Sequence, residues 1–295
     1  MSASNRPHRG TILVEDARVQ SHVAWSDGQF VLVLESPRIA ARSTPGAFVH
    51  LTCDPHLPMR RPLSLQRANA SEGTIEILYK VVGEGTRRLS QARTGEVLSC
   101  MGPIGNGFVA DPGKPIPLLI GGGVGLPPMV YLAEALSKEA CFDPIVMLGS
   151  EVPFPFAAKA SAIALSGIPF SASHAHPQLE SLGIRSRLAS LSGLPGCYAG
   201  YVTELAAEWI TSLDQDTRAK IAIYACGPTP MLAATARLAR RFSLPAQVSL
   251  EEYMACAVGG CAGCAVPVTT PEGIYMKRVC VDGPVFDAYQ VFPET

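Results

Sequence analysis

The sequence predicts an antiparallel β-barrel, then an α/β domain with a doubly wound parallel sheet, then a small cysteine-rich module at the C-terminus. Three observations support this. Short apolar runs are separated by turn residues in the first third, strand-like and helical segments alternate in the middle, and four cysteines lie within the last 40 residues. We place the three parts at residues 1–111, 112–250 and 251–295. A chain of 295 residues is long enough for two domains and such an appendage.

The first part is predicted to be a barrel because its apolar segments are short and closely spaced. They are rich in Val, Ile, Leu and Phe, and turn formers such as Asp27-Gly28, Pro45-Gly46 and Glu72-Gly73 lie between them. Six short strands at this spacing are typical of an antiparallel barrel. The predicted strands are Thr11–Val14, Val19–Val23, Gln29–Glu35, Phe48–Cys53, Thr74–Val81 and Glu96–Met101.

After residue 111 the pattern changes to alternating strands and helices. Pro117–Ile120 is an apolar run typical of a buried strand, and a glycine-rich turn leads from it into a helical stretch at Pro128–Glu139. Such alternation predicts a parallel sheet with helices on both faces. The segments that continue it are Pro144–Leu148, Ala157–Leu165, Pro169–His174, Thr203–Leu213, Ile221–Ala225 and Pro230–Arg240.

Composition excludes several classes of function. The formal net charge of −1 gives no positive field for nucleic acid or for an anionic membrane. Charged residues make up only 17% of the chain, below the usual level of about 25%, so we expect cofactors or a partner subunit to cover part of the surface. The longest apolar run, Pro115–Val124, is too short to cross a bilayer, and the polar first ten residues do not resemble a secretory signal.

The C-terminal cysteines have the spacing of a metal centre. They are Cys256, Cys261, Cys264 and Cys280. The gaps between them are four, two and fifteen residues, and the first two gaps match the plant-type ferredoxin pattern for a [2Fe–2S] cluster. Small residues between the cysteines let backbone amides point at the sulfurs, and we expect Gly259, Gly260 and Gly263 to adopt unusual dihedral angles there.

Structural zinc is the alternative occupant, since zinc also takes four cysteines. Zinc sites generally use two CxxC pairs, however, and here the second pair is missing. A disulfide framework would need an oxidising compartment and more evenly spread cysteines. We therefore interpret the chain as a cytoplasmic protein with a cysteine-ligated metal centre, and we expect Cys53, Cys100, Cys141 and Cys197 to be ordinary small buried residues.

A second glycine-rich segment, Gly121-Gly-Gly-Val-Gly125, follows a predicted strand and precedes a predicted helix. This is the context of a phosphate-binding turn, in which the helix N-terminus supplies positive potential. The match to G-x-G-x-x-G is imperfect, and a tight strand–helix turn without a ligand explains the segment equally well on its own.

Several motifs in a fixed order carry a family resemblance. They are Arg60-Arg-Pro-Leu-Ser64, Gly83-Glu-Gly-Thr86, Gly102-Pro-Ile-Gly-Asn-Gly-Phe108, Gly121–Gly125, Tyr224-Ala-Cys-Gly-Pro-Thr-Pro-Met231 and Arg278-Val-Cys-Val-Asp-Gly-Pro-Val-Phe286. Together they resemble the ferredoxin–NADP reductase superfamily and, within it, the electron-transfer subunits of iron–sulfur dihydroorotate dehydrogenases. The resemblance runs from about Gly10 to Phe286, and the cysteine tail is its most specific part.

The resemblance implies an FAD site on the barrel. It places the Arg61 guanidinium at the FAD pyrophosphate, which suits its fork of donors, and Ser64 beside the reactive nitrogen of the flavin. It places the backbone of residues 79–81 along the flavin ring. The implied FAD residues are Arg61, Pro62, Leu63, Ser64, Tyr79, Lys80, Val81, Gly85 and Thr86.

The resemblance also implies a site for a nicotinamide dinucleotide. Its phosphates are expected at Gly122, Gly123 and Gly125, and its nicotinamide near Cys226, Gly227 and Pro228. A merely buried thiol is the alternative for the cysteine.

Three further polar residues lie in the predicted nucleotide domain. Glu151 follows the second strand of this domain, where it could accept a hydrogen bond from a ribose hydroxyl and repel an extra phosphate. This favours NADH over NADPH, although a solvated loop acid is an equal alternative. We expect His174 and His176 at the surface and assign them no role.

These expectations describe an electron-transfer flavoprotein with FAD, a [2Fe–2S] cluster and NAD(H) as substrate. A nicotinamide exchanges two electrons at once, a cluster accepts one, and a flavin does both, so no side-chain acid, base or nucleophile is required. The resemblance implies a partner, an FMN-containing catalytic subunit that oxidises dihydroorotate in pyrimidine biosynthesis, with NAD⁺ as final acceptor. The alternatives are the same module serving a hydrogenase, a sulfite reductase or a ferredoxin, and a non-catalytic nucleotide-binding protein stapled by zinc.

Overall fold

The computed structural model describes residues 11–293, so the polar N-terminal segment lies outside the described residues. The strands are β1 (Leu13–Ala24), β2 (Gln29–Glu35), β3 (Phe48–Leu51), β4 (Arg61–Ser64), β5 (Arg67–Asn69), β6 (Thr74–Lys80), β7 (Val97–Ile104), β8 (Ile116–Gly122), β9 (Ile145–Gly149), β10 (Lys159–Ala160), β11 (His174–Ala175), β12 (Arg185–Ala189), β13 (Ile221–Cys226), β14 (Ala246–Ser249), β15 (Ala265–Thr270), β16 (Gly273–Arg278) and β17 (Val285–Asp287). The helices are α1 (Pro37–Ala40), α2 (Glu84–Leu89), α3 (Leu126–Leu136), α4 (Pro177–Ser181), α5 (Val202–Ser212), α6 (Gln215–Arg218), α7 (Thr229–Arg241) and α8 (Ala288–Val291). Between residues 11 and 293, no helix is long and apolar enough to span a bilayer.

The first sheet is antiparallel and has seven strands in the order β4-β3-β7-β1-β2-β6-β5. Its two edge strands, β4 and β5, are separated in the chain by only two residues, so the sheet has to curl until its edges approach each other. Side chains such as Leu32, Val49 and Ile77 are fully buried in the core that it encloses. This confirms the predicted antiparallel barrel. The segments predicted as two strands at its start form the single strand β1, which has a register shift between Val19 and Ser21.

The second sheet has six strands in the order β12-β9-β8-β13-β14-β17. The first five are parallel, and β17 from the C-terminal tail adds an antiparallel edge. Helices α5 and α7 pack on one face and α3 packs on the other, which confirms the predicted doubly wound domain. Ligands of such sheets bind at the carboxyl ends of the strands, and here the glycine-rich turn lies at that edge.

The predicted alternation fails between residues 150 and 175. The segments Ala157–Leu165 and Pro169–His174 do not continue the alternation of helix and strand. Only the two-residue strands β10 and β11 form there, and they pair with each other. The chain is held instead by polar side chains. Arg187 donates to the carbonyl of Ile163 (2.7 Å) and Glu180 accepts from the amide of Ala162 (2.6 Å). These contacts satisfy backbone groups that a helix would otherwise have paired internally.

The C-terminal tail packs against the outer face of the barrel. Phe48 and Ile104 from the barrel share a buried apolar cluster with Val279, Cys280 and other tail residues. The antiparallel hairpin β15–β16 and the return strand β17 complete the tail. It therefore contacts both larger sheets and lies between them and the solvent.

Candidate flavin, nucleotide and metal sites

The two adjacent arginines have different environments. Arg60 anchors the start of β4 to the barrel, because its guanidinium donates to the Ser99 carbonyl (2.6 Å) and the Ser99 hydroxyl (2.9 Å). Arg61 donates through Nη1 to the carbonyls of Met59 (2.6 Å) and Arg60 (3.2 Å), and it is only partly buried. The side chain that remains available to an outside ligand is therefore Arg61.

The Arg61 guanidinium lies against the start of α2. A Cβ placed on Gly85 would come within 2.4 Å of Arg61 Nε, so only glycine leaves room for the guanidinium in this position. The Thr86 hydroxyl accepts hydrogen bonds from the amides of Val82 (3.0 Å) and Gly83 (3.3 Å), which fixes the turn before the helix. The structure thus brings Arg61, Gly85 and Thr86 together, and the cradle that they form fits an anionic group such as a pyrophosphate.

Strand β4 presents its residues alternately to the core and to the outside. Leu63 is buried in the barrel core, which leaves Pro62 and Ser64 on the other face. Strand β4 is an edge strand that pairs only with β3, and the missing amide hydrogen of proline costs little at an edge. Pro62 and Ser64 therefore lie where a ligand could pack on the outside of the barrel.

Tyr79 points into the barrel. Its hydroxyl is 2.8 Å from His22 Nε2, and its ring stacks on Phe30 with centroids 5.5 Å apart. His22 Nδ1 is 2.9 Å from the carbonyl of Ala92, so Nδ1 carries the proton and Nε2 accepts from the tyrosine. Burial raises the pKa of Tyr79. At Tyr79, therefore, only the backbone is available to a ligand, whereas the following Lys80 and Val81 are partly exposed.

The glycine-rich turn and the end of β13 lie side by side. Gly121 is in register with Cys226, and a Cβ on Gly125 would come within 2.3 Å of the Cys226 carbonyl oxygen. Gly123 has φ +55° and open space around it. The turn leads into α3, and Gly227 and Pro228 lead into α7. Two helix N-termini with their amides thus flank the same cleft, which suits phosphate groups.

The Cys226 thiol is buried and unreactive. The side chain is 1% exposed, and burial, with a contribution from the Glu251 charge, raises its pKa, while a hydrogen bond with Ser249 opposes the rise. This matches the alternative of a buried small residue, and the thiol supplies no thiolate near neutral pH. Glu251, which sequence reasoning missed, lies two residues after the end of β14 and brings a carboxylate to this edge of the sheet.

The other polar residues of this domain differ partly from expectation. Glu151 is exposed just beyond the carboxyl end of β9, where Gly149 is in register with Gly122 of the turn. The expected surface position of His176 is wrong. It is 5% exposed, caps the start of α4 and packs on Phe156. Burial lowers its pKa to about 4, so it is neutral in the folded chain.

The four tail cysteines come together as two pairs. Cys264 Sγ and Cys280 Sγ are 3.4 Å apart, and the Cys256 side chain hydrogen-bonds to Cys261. In the part of the chain that the structure describes, no three Cys, His, Asp or Glu side chains are grouped closely enough for one metal ion. Two neighbouring thiol pairs fit a two-iron cluster, in which each iron takes two thiolates, better than a single tetrahedral zinc.

Backbone amides in the cysteine loop point at the sulfurs. Burial opposes ionisation of Cys256, but hydrogen bonds from the amides of Val258, Gly260 and Cys261 outweigh it and lower its pKa to about 7. The amide of Gly263 lies 3.4 Å from Cys261 Sγ. These bonds would equally stabilise a thiolate bound to iron.

The expectation about glycines in this loop is partly wrong. Gly259 has φ +77°, but Gly260 and Gly263 do not adopt the left-handed region, which is occupied instead by Ala257 (φ +54°) and Ala262 (φ +55°). The direction of the amides towards the sulfurs sets these angles, and alanine accepts them at some cost.

Two residues that sequence reasoning missed hold the loop in place. The Asn106 side chain donates to the carbonyl of Val281 (3.1 Å), and the Asn106 amide donates to the carbonyl of Gly283 (2.6 Å). Arg278 pairs with Asp282 (3.1 Å) and donates to the carbonyl of Gly259 (3.0 Å). The segment Gly102–Phe108 therefore contacts the C-terminal cysteine-rich module. In the sequence, the only indication that this segment matters was its place among the ordered motifs.

The remaining cysteines are free thiols. Cys53, Cys100 and Cys197 are buried as predicted, and burial raises the pKa of each. Cys141 is exposed, so its predicted burial is wrong. It lies in the turn between α3 and β9.

Comparisons with known proteins agree with this geometry. A family model for the iron-sulfur cluster binding domain of dihydroorotate dehydrogenase B matches residues 251–292, which confirms the predicted iron–sulfur module. A solved structure of the NADH-dependent reduced ferredoxin-NADP oxidoreductase, studied for flavin-based electron bifurcation, aligns with a TM-score of 0.75 and 26% identity over 94% of this chain and 90% of that chain. The fold is thus that of the ferredoxin reductases.

Two curated relatives carry the same name, "Dihydroorotate dehydrogenase B (NAD(+)), electron transfer subunit". The protein from Caldanaerobacter subterraneus subsp. tengcongensis is 35% identical over 84% of this chain and 86% of its own length. The protein from Geobacillus kaustophilus is 36% identical over 94% of this chain and 98% of its own length. These values confirm the predicted family resemblance. The chain belongs to the family of dihydroorotate dehydrogenase B electron transfer subunits.

Proposed function

We propose that this chain transfers electrons between NAD(H), FAD and a [2Fe–2S] cluster, as the electron-transfer subunit of an NAD-dependent dihydroorotate dehydrogenase of pyrimidine biosynthesis. Electrons arrive from an FMN-containing catalytic subunit and leave to NAD⁺. The observation that carries the proposal is the double pair of tail thiols packed against the barrel, in a chain of this family.

FAD, when bound, exchanges electrons in pairs or singly and so connects the one-electron cluster to the two-electron acceptor NAD⁺. In our proposal the Arg61 guanidinium donates to the pyrophosphate, and Gly85 and Thr86 shape the turn that receives it. The outer face of β4, at Pro62 and Ser64, supports the ring, and the backbone of residues 79–81 contacts its edge. Leu63, which completes the predicted set, supports this surface from within the core.

The nicotinamide dinucleotide binds across the carboxyl edge of the second sheet in this proposal. Gly122, Gly123 and Gly125 leave room for its phosphates, and Cys226, Gly227 and Pro228 form the wall by the nicotinamide. The cysteine acts there as a small apolar surface, since its thiol is buried. Glu151 accepts from the ribose hydroxyl and disfavours a 2′-phosphate, so NAD(H) is preferred over NADP(H).

Cys256 and Cys261 bind one iron of the cluster and Cys264 and Cys280 bind the other in this proposal. The zinc alternative lacks support, because the thiols form two pairs and do not surround one point.

We also propose domain limits of 1–111, 112–250 and 251–295. A cytoplasmic location is supported by the nine cysteines, all of which are free thiols.

Replacement of Cys261 with serine tests the proposal. We expect the variant to fold and keep its flavin but to lose cluster iron, visible cluster absorption and reduction by the FMN subunit. Cys141→Ser is the matched control, because it removes an exposed thiol outside the tail and should behave as the original chain. Retention of cluster absorption and partner reduction in Cys261→Ser would refute the proposal.

The alternative acceptors are tested by the partner itself. An FMN-containing dehydrogenase that co-purifies with the chain and reduces it with dihydroorotate is the expected result. A hydrogenase, a sulfite reductase or a ferredoxin in its place would redirect the proposal to that acceptor.

A further inference from the structure

His50 lies between β4, the strand proposed to bind the flavin, and the C-terminal tail that carries the four cysteines. It is the third residue of β3, directly opposite Pro62 of β4 on one side and Met101 of β7 on the other. It shares its face of the strand with Phe48, which packs into the apolar core of the tail. His50 is 1% exposed, and tail residues such as Met254 pack beside it on the cluster that contains Phe48.

The ring of His50 is enclosed without hydrogen bonds. Among residues 11–293, three buried side-chain nitrogen or oxygen atoms lack a partner, and Nδ1 and Nε2 of His50 are two of them. An imidazole buried in this way is costly compared with an apolar side chain of similar size. We therefore expect a hydrogen-bond partner for the imidazole close to this position.

Two carbonyl oxygens face the ring, one from each side of the interface. They belong to Arg60, one residue before β4, and to Met254, two residues before Cys256. The positions of both residues agree with this: the Arg60 guanidinium donates to the His50 carbonyl (3.3 Å), and Met254 packs on the same apolar cluster as Phe48. Burial, together with the charges of Arg60 and Arg61, lowers the pKa of His50 to about 4, so the ring is neutral and carries one N–H. A neutral ring has one N–H, so it can donate to only one of these carbonyls.

We propose that His50 is a positioning residue whose single N–H donates to the Met254 carbonyl and so ties the cysteine loop to β3 and, through β3, to the neighbouring strand β4. The β3 side of this contact is rigid, because the Arg60 guanidinium is bonded both to the His50 carbonyl and to Ser99 of β7. The Met254 side leads directly into the first tail cysteine. Through this contact His50 sets the position of the cysteine loop relative to β4. The inference rests on the proposed function, which supplies a flavin on β4 and a cluster in the loop.

The test compares His50→Leu, which keeps apolar bulk but removes the N–H, with His50→Gln, which keeps an amide donor. His56→Gln is the matched control, because His56 is exposed in the loop that follows β3. Each full-length chain, with its cofactors, is measured for cluster midpoint potential, for its electron paramagnetic resonance spectrum and for the rate of cluster reduction after rapid mixing with NADH. Amide hydrogen exchange at residues 253–258 is the readout independent of cofactors.

We expect His50→Leu to retain iron and flavin but to exchange faster at residues 253–258. Its cluster spectrum and potential should shift, and cluster reduction should slow by about tenfold or more, as expected for small displacements of reacting groups. His50→Gln should restore most of each property, and His56→Gln should match the original chain. These shifts separate positioning from a purely structural role.

Original spectrum, potential, rate and exchange in His50→Leu would overturn the inference. If His50→Leu loses iron or does not fold, His50→Gln decides. Restoration by glutamine supports the tie, and failure of glutamine to restore the spectrum or the exchange overturns it. If the original chain itself binds neither iron nor flavin, the proposed function fails, while the exchange comparison still reports on the His50 contact.

Discussion

Replacing Gly85 with alanine should separate FAD binding from folding. The new Cβ would lie 2.4 Å from Arg61 Nε, so the guanidinium has to move away from α2. Gly85 lies within α2, where alanine is the better helix former by up to about 1 kcal/mol, so folding without FAD should not weaken. A hydrogen bond to a charged group contributes about 1.5–3 kcal/mol. Its loss corresponds to FAD binding that is weaker by about 10- to 100-fold.

The assay measures FAD affinity by flavin fluorescence and thermal unfolding of the FAD-free chain. Gly83→Ala is the control, because no atom lies within 4 Å of its new Cβ. Gly83 caps α2, and alanine is a poor cap, so this control should lose some stability yet keep FAD affinity. Gly85→Ala should therefore lose FAD affinity but not stability, and Gly83→Ala should lose stability but not FAD affinity. If Gly85→Ala binds FAD as tightly as Gly83→Ala does, the assignment of Arg61 to the pyrophosphate is wrong.

Two other predictions concern the nucleotide turn and the cysteine loop. Gly125→Ala should weaken both folding and NADH-dependent flavin reduction more than Gly122→Ala does. The Cβ at Gly125 would lie 2.3 Å from a backbone carbonyl oxygen, whereas the Cβ at Gly122 would meet the flexible end of a methionine. Equal losses in melting temperature and reduction rate would contradict this prediction. In the iron-free chain, alkylation of Cys256 should be half-maximal near pH 7, because backbone amides outweigh burial and hold its pKa there. The folded pKa is lowered, so the thiolate stabilises the loop at high pH and this contribution is lost as the pH falls through about 7. A labelling midpoint above about pH 8 would contradict the prediction.

Short apolar runs bounded by turn residues made much of the fold predictable. The strand predicted at Gln29–Glu35 agrees with β2 at both ends, because its apolar residues lie between the turn Asp27-Gly28 and Pro37. Strand β4 was not among the predicted strands, because its segment begins with arginine and proline and is not an apolar run. It becomes a strand through pairing with β3. Irregular structure between residues 150 and 175 depends on contacts from distant Arg187 and Glu180, which no local pattern contains.

The candidate site was also predictable from the sequence only in part. The cysteine spacing predicted a metal module, because ligand geometry restricts spacing strongly. Which loop residues adopt positive φ was not predictable, since glycine permits that conformation without requiring it, and Ala257 and Ala262 adopt it here. His50 gave no signal in the sequence, because its importance arises only when the tail covers the barrel.

The most direct test of the account is an anaerobic titration of the purified chain with NADH, followed by visible absorption and electron paramagnetic resonance. The account predicts protein that contains iron and tightly bound FAD, with bleaching of the flavin and a paramagnetic signal from the reduced cluster as NADH is added. A colourless chain without iron would contradict it. So would a flavin that bleaches while the cluster stays oxidised.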